Sequence, residues 1–448
     1  MRHFLIPATA MLLAACGSTV SNDTSLPPAA TVEIDMQAST MGGPLAQLAI
    51  RGPAAAEQLK AWYDDTAEDC GGADKPSYLC SGVLVRGTYA SLAYYAWDPS
   101  PRAIDLGGIS FSWLRRDQTF SRLLLHNGLI FFPNAAIPPD KNRAITTLCA
   151  YPVDGYTHVR ASQGCGARPG FEAETDTCQN LGIHTAQAWI AKYANVSYNV
   201  CGWSMRTTPW VSAAAFNATL QAHQGLPDTP HGWQIYNELV MATWQTGTGA
   251  TLPIHSFFYV GADFVGRAKA QSDQSRYYQQ FGQVIPIIRL DLPTAKPGSA
   301  TFGYAQADQV AGVTFPILEA DFEEMPVGHY TEFESRGTPF RLNGDSAGIR
   351  DQPLPSQDFT GRYAETGESL VFAVKGVGAR TVSFSWGCDE FCIVQEYISG
   401  NQTILTPMKS ANDRYYGRAT LTVTAPDILE IVTGSSSNRI VLDNLKVE

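Results

Sequence analysis

The chain has 448 residues, a formal net charge of −11 at neutral pH, and hydrophobic and aromatic fractions of 44% and 11%. That length exceeds what one compact core organises, so two folded units are expected, and the apolar fraction is that of ordinary globular domains. The acidic balance, with no large basic cluster, excludes nucleic acid as the main partner, because phosphate binding needs a basic face.

At the start of the chain, Arg2 and His3 precede the apolar run Phe4 to Leu13, which ends in Ala14, Ala15 and Cys16. This reads as an export signal with a lipobox over residues 1–16, leaving a lipid on Cys16. The run is shorter than the roughly 20 residues of a spanning helix, so the membrane is a partner through the lipid anchor only. Gly17, not Asp, follows the cysteine, as in lipoproteins sorted onward. The expected location is therefore the outer membrane or cell surface of a Gram-negative bacterium. Residues 17–43 read as a flexible tether of Ser, Thr, Pro and Ala. With Cys16 acylated, eight of the nine cysteines remain, an even set that predicts disulfides in an exported chain. Spacing favours Cys70 with Cys80, Cys149 with Cys165, Cys178 with Cys201 and Cys388 with Cys392, while other pairings stay open.

Between residues 44 and 294, helix and strand signals mix in an α+β pattern. Pro53–Asp64, Phe120–Leu124, His184–Tyr193 and Val211–His223 read as helices; Gly82–Arg86, Gly108–Trp113, Ser256–Val260 and Val284–Leu290 read as strands. Pro, Gly, Ser, Ala and Thr over 295–315 mark a linker. From 316 to 448, short β-type runs follow one another between turn residues: Thr331–Ser335, Glu368–Val374, Thr381–Trp386, Cys392–Ile398, Tyr416–Thr424, Ile428–Thr433 and Arg439–Val447. This predicts an all-β, jelly-roll-like sandwich.

Three stretches of the first unit carry chemistry. Arg86 closes an apolar strand beside Gly87, where its guanidinium fork can hold a phosphate; a surface ion pair is the plainer reading. In Gly107–Arg115, alternation puts Ser110 and Ser112 on one face and Phe111 on the other. The hydroxyls can orient a carboxylate and the aromatics can pack on a planar ring, although edge strands commonly show the same alternation. Glu238 stands in the apolar segment Trp233–Val240, as either a satisfied structural acid or a functional one.

In this order, Arg86, Ser112 and Glu238 resemble the Arg, Ser, Glu arrangement of bacterial ADP-ribosyltransferases and their NAD-hydrolysing relatives. The stretches Cys80–Thr88, Trp97–Pro101, Gly107–Arg115 and Tyr236–Tyr259 resemble the halovibrins, secreted proteins described as ADP-ribosyltransferases or NAD glycohydrolases. The resemblance implies an ADP-ribosyltransferase-like fold for residues 44–294 and NAD as substrate. It implies that Arg86 binds the NAD phosphate or ribose, that Ser112, or Ser110 in its place, steadies Glu238, and that Glu238 holds the nicotinamide-ribose hydroxyl as the glycosidic bond breaks. Phe111, Trp113 and Tyr236 would complete the substrate contacts with Arg86 and Ser110. Arginine-modifying transferases carry Glu or Gln two positions before the glutamate, where this chain has Tyr236. Water is thus easier to defend as acceptor than a protein of a host or neighbouring cell. Glu332 and Glu334 form a Glu, x, Glu triplet beyond the linker and read as exposed strand residues.

Two further readings stand beside this one. Cys80 with His184 or His255 would make a thiol enzyme, which the even cysteine set opposes in favour of a disulfide. A non-catalytic surface adhesin or glycan-binding lipoprotein needs only the sandwich. There, Asp321, Glu323 and Asp443 resemble the acids of sugar-binding sandwich modules that meet at a calcium ion, or they lie in solvated loops. Trp386 and Tyr397 either stack on sugar rings or fill the core.

Overall fold

The apolar run that ends at Arg86 forms β1 (Val83–Gly87) in a computed structural model of the chain. The structure describes residues 43–88, 94–133, 147–154, 177–195, 200–205, 212–226, 236–313 and 318–448, apart from residues 337, 345–346, 353, 355–358, 360, 390–391, 398, 406–408, 412–413 and 434–438. Cys16, the export signal, Cys165 and all but the last residue of the expected tether therefore lie outside the described residues.

β1 lies at the middle of a nine-stranded sheet with β2 (Gly108–Leu114), β3 (Asn127–Phe131), β4 (Thr147–Tyr151), β5 (Trp203–Ser204), β6 (Glu238–Ala242), β7 (Ile254–Val260), β8 (Ile287–Asp291) and β9 (Thr301–Gly303). The order is β5-β4-β6-β2-β1-β3-β7-β8-β9. Among the described strands only β7 and β8 pair in parallel, and the crossover that parallel pairing demands is supplied by a helix over Phe264–Phe281. One face of the sheet buries Phe111, Trp113, Phe131 and Phe257 in a core shared with Trp97, Trp189 and Tyr277. The other face buries Val83, Val85, Ile130 and Ile288 against Leu59 and Tyr63 of helix α1 (Pro44–Asp64).

Several elements differ from expectation. Helix α1 starts at Pro44 and runs through Pro53 rather than starting there. Its close approach to the following chain requires Gly52, where a Cβ would fall 1.9 Å from the ring of Tyr304, whose hydroxyl donates to the Leu48 carbonyl at 2.7 Å. Helices α2 (Pro101–Leu106), α3 (Ala186–Tyr193) and α4 (Ser212–Gly225) follow. Phe120–Leu124 is not a helix: Phe120 and Leu123 instead insert into the α1-side core. The crossover helix, α5 (Phe264–Phe281), was not foreseen because its buried face includes Ser272, Asp273, Gln274 and Ser275. The expected linker also carries structure. β9 pairs with β8, and the Gln274 side chain accepts hydrogen bonds from the backbone N–H groups of Val310 and Ala311 at 2.7 and 3.0 Å, so residues up to 311 are bound to the first body.

The C-terminal unit is a two-layer β-sandwich, all antiparallel, built from β10 (Leu318–Ala320), β11 (Gly328–His329), β12 (Glu332–Ser335), β13 (Thr338–Asn343), β14 (Gly348–Arg350), β15 (Tyr363–Thr366), β16 (Ser369–Cys388), β17 (Cys392–Glu396), β18 (Gln402–Ile404), β19 (Lys409–Ala411), β20 (Arg414–Thr433) and β21 (Ile440–Val447). Four of the expected short strands are two long ones: β16 and β20 each run for 20 residues and pair along their length, with a register shift between Val374 and Gly378. Before the shift β16 pairs with β13, after it with β21, so the long strands pass through both layers. Phe340, Phe372, Phe384, Trp386, Leu429 and Leu442 fill the space between. The sandwich meets the first body where Phe264 of α5 packs on Val371 and Ile428. Disulfides join Cys70 to Cys80, Cys178 to Cys201 and Cys388 to Cys392, as spacing favoured. Among the described residues, no helix is long and apolar enough to cross a membrane.

Candidate active site

Strands β1, β2 and β6 are neighbours, so the sheet brings Arg86, the two serines and Glu238 onto three consecutive strands. In the β2–β6 ladder Ser110 lies opposite Val240 and Phe111 opposite Leu239. Residues directly opposite share a face, so Ser110, Ser112, Glu238 and Val240 all project to one side. There the Ser110 hydroxyl donates to Oε1 of Glu238, a carboxylate only 2% exposed. Of the two serines that the sequence offers, Ser110 is the one that donates to the glutamate. Ser112 is buried on the same face, opposite Val85 of β1.

Arg86 sits opposite Leu129 of β3, and its guanidinium carbon lies 6.0 Å from the centre of the Phe111 ring. Its side chain therefore follows the Phe111 face of the sheet, whereas the serines and Glu238 follow the other. The structure joins Ser110 to Glu238 and leaves Arg86 on the opposite face of the sheet, so the expected convergence of Arg86 with the serine and the glutamate is not met.

Asn237 was not anticipated. Its buried side chain acts as a peptide bond would: Oδ1 accepts the Trp113 N–H at 2.7 Å and Nδ2 donates to the Trp113 carbonyl at 2.8 Å. The signal lay in the residue type, since asparagine is depleted within strands and its amide can replace a backbone partner at a strand end.

The aromatics expected to contact a planar ring are packing residues. Phe111 and Trp113 are fully buried, and Trp113 donates its indole N–H to the Ser81 carbonyl at 3.0 Å beneath the Arg115 guanidinium, 4.7 Å from the ring centre. Tyr236 is buried edge-on to Phe120 and directs its hydroxyl to Asp154 at 3.4 Å. Apolar rings on the inner strands of a two-faced sheet have neighbours on both sides, and helix packing takes the surface that alternation alone assigns to a ligand.

The thiol constellation does not form. Cys80 is in a disulfide, and His255 is buried between Trp62 and Phe132, where desolvation pushes its pKa down to about 3. His184 is exposed. Nor do Asp321, Glu323 and Asp443 form a calcium cage. Asp321 pairs with Arg336 at 3.1 Å, Glu323 accepts the Arg362 N–H at 2.7 Å, and Asp443 is buried against the Asn444 N–H. Among the described residues, no three His, Cys, Asp or Glu side chains are grouped to hold a metal. Trp386 is core, while Tyr397 is partly exposed, donates to Glu430 at 2.7 Å and has the Lys269 ammonium 5.6 Å from its ring centre. Glu332 and Glu334 are exposed on β12, as expected.

No family model matches the chain, and no curated protein matches it. Among solved structures, it is similar to the xylan-binding domain from a Paenibacillus barcinonensis protein, at 10% identity and a TM-score of 0.20 over 29% of this chain and 92% of that one. It is also similar to a cleaved adhesin domain of Lys-gingipain from Porphyromonas gingivalis, at 13% identity and a TM-score of 0.20 over 29% of this chain and 97% of that one. A third likeness, at 14% identity and a TM-score of 0.17 over 24% and 87% of the two chains, is to a carbohydrate-binding module in complex with beta-1,4-galactotriose.

Proposed function

We propose that the first body cleaves NAD at the nicotinamide–ribose bond, with water as acceptor, and that the sandwich holds the enzyme on a glycan or protein at the cell surface. The observation that carries the first part is the Ser110–Glu238 hydrogen bond on adjacent strands of the sheet, in the order the resemblance implies. In the reaction the ribose C1–nitrogen bond breaks and its electron pair leaves with nicotinamide. Water oxygen then bonds to C1 and releases a proton. The nicotinamide nitrogen is cationic in NAD, so departure needs no strong general acid. The need is for negative charge close to the oxocarbenium-like carbon, which a preorganised, shielded carboxylate supplies far better than one in bulk water. Ser110 fixes the rotamer of Glu238, while Arg86, on the opposite face of the sheet, is left out of the proposed site. Tyr236, turned into the core, leaves no acid two positions before Glu238 to orient a protein acceptor. The lipid on Cys16 would confine the activity to NAD outside the cell or across a cell contact.

A second reading keeps the binding and drops the catalysis. The burial of Phe111, Trp113 and Tyr236 favours it, because those rings give NAD nothing to stack on. Glycan binding is the property printed for two of the three solved structures named above, and in this reading it is the whole function. Incubating the full chain with NAD and following nicotinamide separates the two. Release that disappears in Glu238→Gln supports the enzyme; no release from the wild type leaves the binding protein.

A further inference from the structure

Resting on the NAD-cleaving reading, we infer that Asn237 is a positioning residue that spreads β6 from β2 and thereby sets the Glu238 carboxylate for catalysis. In the β2–β6 ladder, Ile109 pairs with Met241 and Phe111 with Leu239, and the next hydrogen-bonding position on β2 is Trp113. A continuing ladder would pair the backbone of Trp113 with that of Asn237. Both Trp113 groups are instead taken by the Asn237 side-chain amide, at 2.7 and 2.8 Å. The main chain of β6 is therefore held away from β2 by the reach of a side chain, immediately before Glu238. Ser112 and Glu238 occupy the step between the closed Phe111–Leu239 rung and this widened one. There the Glu238 side chain leans diagonally to Ser110, rather than being pressed against the residue straight across.

The amide is suited to this because it carries one acceptor and a donor in one plane, matching a peptide group. Alanine removes both, and the backbone of Trp113 can then recover partners only if β6 closes up, which shifts Glu238. Aspartate keeps the acceptor for the Trp113 N–H and loses the donor to its carbonyl. Neither change removes a group that touches NAD in the proposed reaction, so turnover should fall while affinity holds.

The test uses the full chain in four forms: wild type, Glu238→Gln, Asn237→Ala and Asn237→Asp, each with NAD. Nicotinamide release gives kcat, and calorimetric titration gives the NAD Kd. Displacement of a catalytic group by about 1 Å costs on the order of 100-fold, so kcat is expected to drop by about that in Asn237→Ala and by roughly 10-fold in Asn237→Asp, with Kd within about threefold of wild type. If Asn237→Ala does not fold, Asn237→Asp carries the test. Wild-type kcat in a folded Asn237 variant, or equal losses in kcat and NAD affinity, overturns the positioning role while leaving Glu238 in place. No release by the wild type, or full activity in Glu238→Gln, overturns the NAD reading and this role with it.

Discussion

Replacing Ser110 by alanine removes the donor seen on Glu238 and leaves the backbone of β2 intact. Because Glu238 is only 2% exposed, little water is at hand to replace the lost hydroxyl. A hydrogen bond to a charged group contributes about 1.5–3 kcal/mol, which corresponds to roughly 10- to 150-fold in rate when it supports the transition state. Ser112→Ala is the internal control, since Ser112 shares the face but not the observed bond; a loss below about threefold in kcat is expected. Nicotinamide release under saturating NAD, with circular dichroism to confirm folding, measures both. If Ser112→Ala costs more than Ser110→Ala, the assignment of the serine to position 110 is refuted.

Breaking the Cys70–Cys80 bridge, which spans ten positions, should lower stability by about 3 kcal/mol and leave turnover unchanged below the melting temperature. Loss of activity in folded Cys80→Ser at low temperature would instead revive the thiol reading. Stability should also depend on pH through three buried groups. Burial pushes the pKa of His223 and of His255 down to about 3, so between there and the ordinary value near 6.5 the unfolded chain binds more protons, and each residue weakens the fold as pH falls. Asp273 is pushed up by desolvation to about 7, so its contribution runs the other way, full below the ordinary carboxylate range and lost as pH rises through 7. Each group acts at up to about 1.4 kcal/mol per pH unit, and the pair of histidines outweighs the acid. Asp273→Asn should therefore steepen the rise of the melting temperature between pH 4.5 and 6.5; an unchanged slope would remove Asp273 from the account. Finally, Trp386→Ala, which empties a fully buried site between the sandwich layers, should cost about 3–5 kcal/mol as read by denaturant unfolding, whereas a loss under 1 kcal/mol would show that the ring is not core.

In the central sheet β1, β2, β7 and β8 were legible, β1 as an apolar run between glycines and β2 by its alternation of serine with aromatic residues, whereas β3, β4, β5, β6 and β9 were not. Nor was helix α5, because its buried positions include two serines, an aspartate and a glutamine, and the glutamine finds its partners outside the helix, at the Ile285 carbonyl and the Gln309 side chain. Its ends were readable: Asp263 accepts the Val265 N–H at 3.0 Å, and Gly282 adopts φ +67 at the close. The serine alternation gave the face of Ser110 and Ser112, but not which hydroxyl reaches Glu238, since that depends on the stagger between β2 and β6. Asn237 escaped for a related reason, because its function is to interrupt a ladder whose register the sequence does not state. The long strands β16 and β20 were cut in two at Val374 to Gly378 and near Ala425 to Asp427, where glycine and proline read as turns but serve a change of layer.

The most direct measurement is nicotinamide release from NAD by the full chain, compared with Glu238→Gln, which preserves the shape of the side chain and removes its charge. The account predicts release by the wild type and a loss of at least about 100-fold in the variant. Equal release from both, or none from the wild type, would contradict it.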